Sequence, residues 1–260
     1  MSRRERYLDA LGIDQWRPRA LGTQAAELPI AVSAPAAVPA PAAVSAPPAV
    51  PVPIRTAAGP SESLPAVSAA WAALRAAVSG CTRCELSRTR TQTVFGVGAQ
   101  RAELLVIGEA PGADEDAQGE PFVGRAGQLL NSMLRAMGNP RETVYIANVL
   151  KCRPPGNRDP KPEEVACCLP YLQQQVDLIA PSLILALGRI AAQNLLATDT
   201  PIGRLRGQVH QFGTGATPLI VTYHPAYLLR SPGEKRKAWS DLKLVRAELV
   251  RLRGHSAARG

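Results

Sequence analysis

The chain has 260 residues, enough for one domain with a full core plus an appendage. A net charge of +9 with only 4% aromatic residues favours a polyanionic partner such as nucleic acid. The odd count of five Cys, and a charged start (MSRRERYLDALG) with no apolar signal core, argue against a secreted disulfide scaffold. The expected location is a bacterial cytoplasm, where clustered Cys act as metal ligands.

In chain order, the first block runs from Ser2 to Leu21. Leu8, Leu11, Ile13 and Trp16 form a weak helical apolar face that Pro18 ends. Twenty residues make no core, so residues 1–22 are expected to be a docking peptide. The run RRERYLDALGIDQWRPRALG resembles the N-terminal peptide of the psi subunit of the bacterial clamp loader. That resemblance implies the chi subunit as a partner of residues 2–21. Residues 23–66 read as an Ala/Pro-rich linker. Its centre, Ala31 to Pro53, is uncharged but holds seven prolines in 23 residues, which no membrane-spanning helix tolerates. An extended spacer at about 3.1 Å per residue is expected there.

The globular part begins near Val67, with the domain assigned to 67–260. Helices are predicted over Trp71–Val78, Gly127–Met137, Pro162–Ile179, Gly188–Leu196 and Glu234–Leu252. Buried strands are predicted at Leu104–Gly108, Val144–Val149, Leu183–Leu187 and Leu219–Thr222. Strands alternating with helices give an α/β fold: a mostly parallel four-stranded sheet with helices on both faces. Ligands of such sheets bind beyond the carboxyl ends of the strands. Glu109, Asn148 and His224 follow or end three of these strands and should converge on one edge.

Three constellations carry chemistry. Cys81, Cys84, Cys152 and Cys168 bring two chain segments to one centre, which suits either zinc or a [4Fe–4S] cluster. Cys167 adjoins Cys168 and competes as a ligand. Next, Gly108 to Leu130 combines glycines, five carboxylates and Phe122, a pattern for holding a flat polar ring under an aromatic side chain or, given its acidity, Mg²⁺. Last, YHPAYLLR places Leu228, Leu229 and Arg230 after His224. Leucines beside cations suit a wedge pushed into a base stack; the alternative is a helix start whose leucines join the core.

Taken together, GEAPG…PFVGRAG, NVLKCRPPGNRDP and HPAYLLR, with the four Cys at these spacings, resemble family 4 uracil-DNA glycosylases over Trp71 to Leu252. The resemblance implies the three-layer fold of those enzymes and a [4Fe–4S] cluster held by Cys81, Cys84, Cys152 and Cys168. It implies uracil-containing DNA as substrate and a monofunctional, monomeric enzyme that hydrolyses the N-glycosidic bond and leaves an abasic site. By the same carry-over, Phe122 stacks on the flipped base, Asn148 reads its edge, Glu115 lies near it and main-chain amides after Gly108 help hold it. His224 stabilises charge on uracil O2. Better-studied branches of the superfamily place an Asp where this chain has Ala110, so Glu109, Glu115 or backbone carbonyls are left to position the water. The loop from Lys151 to Lys161 holds no His, which disfavours the related covalent mechanism.

Overall fold

A computed structural model describes residues 64–257. The docking-peptide assignment (1–22) and nearly all of the linker assignment lie outside them. None of the described helices is long and apolar enough to cross a membrane.

The elements follow the chain as α1 (Leu64–Ser79), β1 (Val97–Gly98), β2 (Leu104–Gly108), α2 (Ala113–Gln118), α3 (Arg125–Ala136), β3 (Tyr145–Asn148), α4 (Pro162–Ile179), β4 (Leu183–Leu187), α5 (Arg189–Leu196), α6 (Ile202–Leu205), β5 (Val209–Phe212), β6 (Thr217–Thr222), α7 (Pro225–Arg230) and α8 (Lys235–Ala257). The first helix starts at Leu64, inside the stretch assigned to the linker. The sheet has six strands, in the order β1-β3-β2-β4-β6-β5. The four expected strands form its parallel centre. The two additions, β1 and β5, pair antiparallel on its edges. The four-stranded expectation therefore counted only the centre. The edge strands are too short or too exposed to leave an apolar signature: β1 has two residues, and β5 buries only Phe212.

Central strands buried on both faces read as unbroken apolar runs, yet their side chains still alternate. Leu105, Ile107, Ile184 and Ala186 face one core with Trp71 and Leu74 of α1 and Leu172 and Val176 of α4. Leu104, Val106, Leu183 and Leu185 face the other, with Leu130 and Leu134 of α3 and Leu242 and Val245 of α8. The result is three layers. The helices following β2 and β3 lie on opposite faces, so the crevice opens beyond the carboxyl ends of the central strands.

Candidate active site

The carboxyl edge of the sheet carries a cavity of about 410 Å³, lined by Glu109, Glu115, Phe122, Asn148, His224 and Arg230 among others. Sequence reading placed the first five there and gave Arg230 to a DNA wedge. Gly108 ends β2 against Phe122 and Asn148. A Cβ at this position would lie 2.6 Å from Phe122 Cζ and would also strike Asn148 Oδ1. Only a hydrogen leaves space between the ring and the amide.

Phe122 sits at φ 56, a conformation that non-glycine residues adopt only when their surroundings hold them. Glu115 is one holder: Oε1 accepts the N–H groups of Val123 (3.0 Å) and Gly124 (3.2 Å), and Oε2 accepts that of Gly112 (3.1 Å). Arg141 is the other, donating to the carbonyls of Pro121 (2.6 Å) and Phe122 (3.4 Å) and to Glu120 (2.8 Å). Glu115 thus supports the loop with both oxygens. Asp116 likewise accepts the Thr91 N–H. The acidic run forms helix α2, and main-chain amides engage the carboxylates of Glu115 and Asp116. That leaves little for the Mg²⁺ alternative, and no group of three or more His, Cys, Asp or Glu able to hold a metal ion occurs among the described residues.

Asn148 ends β3, only 2% exposed, and its Oδ1 is a buried acceptor with no hydrogen-bond partner among the described residues. Buried polar atoms are almost always paired, so this one marks a place for a ligand donor. His224 caps the N-terminus of α7. Its Nδ1 accepts the Ala226 N–H at 3.1 Å, which leaves the ring proton on Nε2. Burial, with Arg230 nearby, lowers its pKa to about 4, so the ring is neutral at pH 7. It lies 5.6 Å from Phe122, ring to ring. Burial pushes Glu109 up to about 7; Asp159 adds to the rise and Arg189 opposes it.

Five polar residues that line the cavity went unassigned to this pocket from sequence: Asn157, Arg158, Asp159, Tyr227 and Arg230. Arg153, Arg158 and Lys161 of the loop after β3 are cations of a kind suited to phosphate contact. Arg158 is not free for that role, since it grips Glu164 through both Nη atoms (2.5 and 2.9 Å). The leucine wedge also needs correction. Leu228 is 1% exposed and belongs to the core under α7, because Pro225 starts a helix that turns that residue inward. Leu229, 37% exposed, and Arg230 face outward.

The cysteines come from three places: the segment after α1 (Cys81, Cys84), the loop after β3 (Cys152) and α4 (Cys168). Cys152 and Cys168 are buried, and Cys81 and Cys84 are half-buried. Burial raises the Cys168 thiol to about 11; the charges of Cys152 and Cys84 push the same way, against Lys151. Burial also raises Cys152, with Cys84 and Cys81 contributing and Arg90 opposing. The four sulfurs therefore share one neighbourhood, and Arg90 donates to Cys152 Sγ at 3.0 Å. Among the described residues no three of these donors close round a single metal ion. The Cys167 thiol donates to the Arg83 carbonyl at 3.3 Å. Burial raises the Cys84 thiol, and the charge of Cys167, like that of Cys81, adds to the rise, so Cys167 lies beside the same site.

Comparison with known proteins agrees with this picture. The profile of the Uracil DNA glycosylase superfamily matches residues 95–243. The chain is 48% identical to the Type-4 uracil-DNA glycosylase of Archaeoglobus fulgidus over 174 residues, covering 65% of this chain and 87% of that protein. It is 45% identical to the Type-4 enzyme of Thermotoga maritima over 155 residues, covering 59% and 80%. Against the Type-5 uracil-DNA glycosylase of Thermus thermophilus it is 33% identical, covering 50% and 68%.

Proposed function

This chain belongs to the uracil-DNA glycosylase superfamily, and we infer from that membership and from the cavity that it removes uracil from DNA. It hydrolyses the N-glycosidic bond and leaves an abasic site. The observation that carries the recognition step is the orphaned Oδ1 of Asn148. Uracil presents an N3–H donor to such an acceptor and its O4 to the amide nitrogen. Cytosine presents an acceptor at N3 and a donor at C4, leaving buried polar atoms opposed or unpaired.

The buried sugar–base bond requires the nucleotide to be flipped out first. Exposed Leu229 and Arg230, beside the cavity mouth, would fill the vacated stack. Phe122 would lie against the uracil face. Neutral His224 would donate Nε2–H to O2 as negative charge gathers there. Glu109 would accept a hydrogen bond from the attacking water. Glu115 is less suited to that task, since both its oxygens are engaged by main-chain amides.

The test is uracil release from an oligonucleotide with a single uracil, followed by alkali, beside oligonucleotides carrying thymine or hypoxanthine at the same position. The expected result is a break at uracil only, with the strand intact before alkali. Equal or faster release of hypoxanthine would overturn the assignment of uracil as the substrate.

Glu109 gives the reaction its pH dependence. A carboxyl with a pKa of about 7 is protonated below that value and then cannot accept from water. The rate should therefore rise with pH through about 7 and level off above it. His224, titrating near 4, stays neutral throughout and adds no limb in this range. Glu109→Gln should be slow and flat across the same range. A flat wild-type profile between about pH 5.5 and 8.5 would remove Glu109 from the water-positioning role.

We propose that Cys81, Cys84, Cys152 and Cys168 hold a [4Fe–4S] cluster, as the resemblance to family 4 enzymes implies. What supports it is the shared neighbourhood of the four sulfurs, with Arg90 donating to Cys152 Sγ. Such a group supplies a structural cross-link, since hydrolysis moves no electrons. It would tie Cys152, at the end of the segment after Asn148, to helix α4. Residues 2–21 are proposed as a tether to the clamp-loader chi subunit; capture of purified chi by that peptide is expected, and failure to capture it would end the idea.

A further inference from the structure

Lys151 is a charged side chain that is only 1% exposed, and among the described residues it forms no ion pair with a carboxylate. Its ammonium donates to the main-chain carbonyl of Asn148 at 2.8 Å and to Gln175 Oε1 at 2.6 Å. Gln175, itself fully buried, donates through Nε2 to the Phe95 carbonyl (2.9 Å) and the Tyr145 hydroxyl (3.4 Å). A buried ammonium is costly, and an apolar side chain of similar length would fill the space without that penalty. Packing alone does not account for a lysine here.

Its placement does. Asn148 and Lys151 bracket a short stretch whose other main-chain groups are anchored in the active site: Val149 N–H donates to the Gly108 carbonyl (2.9 Å) and Leu150 N–H to that of Glu109 (3.0 Å). The ammonium closes this stretch from beneath. The residue after it is Cys152, and Gln175 lies two helical turns beyond Cys168 on α4. One side chain thus joins the base-reading residue, the helix carrying a cysteine of the thiol site, and the segment leading to another.

We propose that Lys151 is a positioning residue for uracil selection. It holds the backbone of Asn148 so that the side-chain amide meets the uracil edge, and it links that amide to the cysteine site through Gln175 and Cys152. The proposal rests on the uracil-reading role of Asn148 given above.

The test is a cycle of four full-length proteins: wild type, Lys151→Met, Asn148→Ala and the double variant. Three quantities are measured on each. They are kcat/KM for uracil release, affinity for a duplex with a tetrahydrofuran in place of the target nucleotide, and iron bound per chain. Lys151→Met should lose about ten- to a hundredfold in kcat/KM, as misplacement of a recognition group does. Its affinity for the tetrahydrofuran duplex, which has no base to read, should stay within about twofold, with iron content unchanged. In the Asn148→Ala background the same change should cost less than about twofold, because the group it positions is gone. Equal losses in both backgrounds, or parallel loss of tetrahydrofuran binding, would make Lys151 merely structural and overturn the proposal. Should Lys151→Met not fold, Gln175→Leu takes its place in the cycle, with Gln175→Glu, which keeps the acceptor, as the expected rescue. No uracil release by the wild type would sink the parent reading. Release by the wild type with Lys151→Met indistinguishable from it would sink this proposal alone.

Discussion

His224→Ala is expected to lower single-turnover uracil release by about 10²- to 10³-fold, the range seen when one charge-stabilising donor is removed from an enzyme site. The effect is this large because the imidazole is prepared before the substrate arrives. The Ala226 N–H occupies Nδ1 at 3.1 Å, so the proton is fixed on Nε2. Burial keeps the ring neutral down to about pH 4, so it serves as a hydrogen-bond donor and not as a cation. A neutral donor adds little to ground-state binding of an uncharged carbonyl. Its bond strengthens as O2 becomes anionic, which is the condition for raising kcat. The fold supports this arrangement at close quarters: Gly188, at φ +92, approaches so near that a Cβ there would lie 2.9 Å from His224 Cβ. Affinity for a tetrahydrofuran duplex should be nearly unchanged in His224→Ala, and His224→Gln, which keeps a donor, should recover part of the rate. A variant within about threefold of wild type would remove His224 from charge stabilisation.

Much of this site could be read from sequence because its residues sit where strands end. Unbroken runs such as Leu104–Gly108 and Leu183–Leu187 have one reading in a chain of this pattern, and the residues that follow them must gather on one edge. Glu109, Asn148 and His224 were placed by that logic alone, and Phe122 by its position before a helix. What could not be read depends on main-chain hydrogen bonds. Glu115 looks like a pocket carboxylate until the N–H groups of Gly112, Val123 and Gly124 are seen to meet it. Leu228 and Leu229 are neighbours of identical type, and only the helix starting at Pro225 decides which one enters the core. Arg141, which holds Phe122 from nineteen residues away, carries no local signal at all. Lys151 reads as one more cation in a basic loop, and its burial follows only from the path of the chain beneath the sheet edge.

Gly108→Ala tests the geometry of the slot. The added methyl would stand 2.6 Å from Phe122 Cζ, below any ordinary carbon contact, and would overlap Asn148 Oδ1. Gly108 does not have a positive φ, so the backbone accepts alanine and the burden falls on the neighbours. Neither can retreat easily. Phe122 is pinned at φ 56 by Glu115 and Arg141, and its carbonyl packs so tightly on Gly127 that a Cβ there would clash. Asn148 is held by the β2–β3 ladder and by the Lys151 ammonium. Alanine should therefore close the gap between ring and amide instead of opening it. Uracil release is expected to fall by more than about 10²-fold, with affinity for a tetrahydrofuran duplex retained, because the loss lies in base insertion. The variant also separates two ways of placing the base. If Gly108→Ala keeps its rate within about tenfold, uracil does not lie between Phe122 and Asn148, and the unpaired Oδ1 has another purpose. If the rate collapses while abasic-site binding survives, the backbone at the end of β2 sets specificity by leaving out one carbon atom.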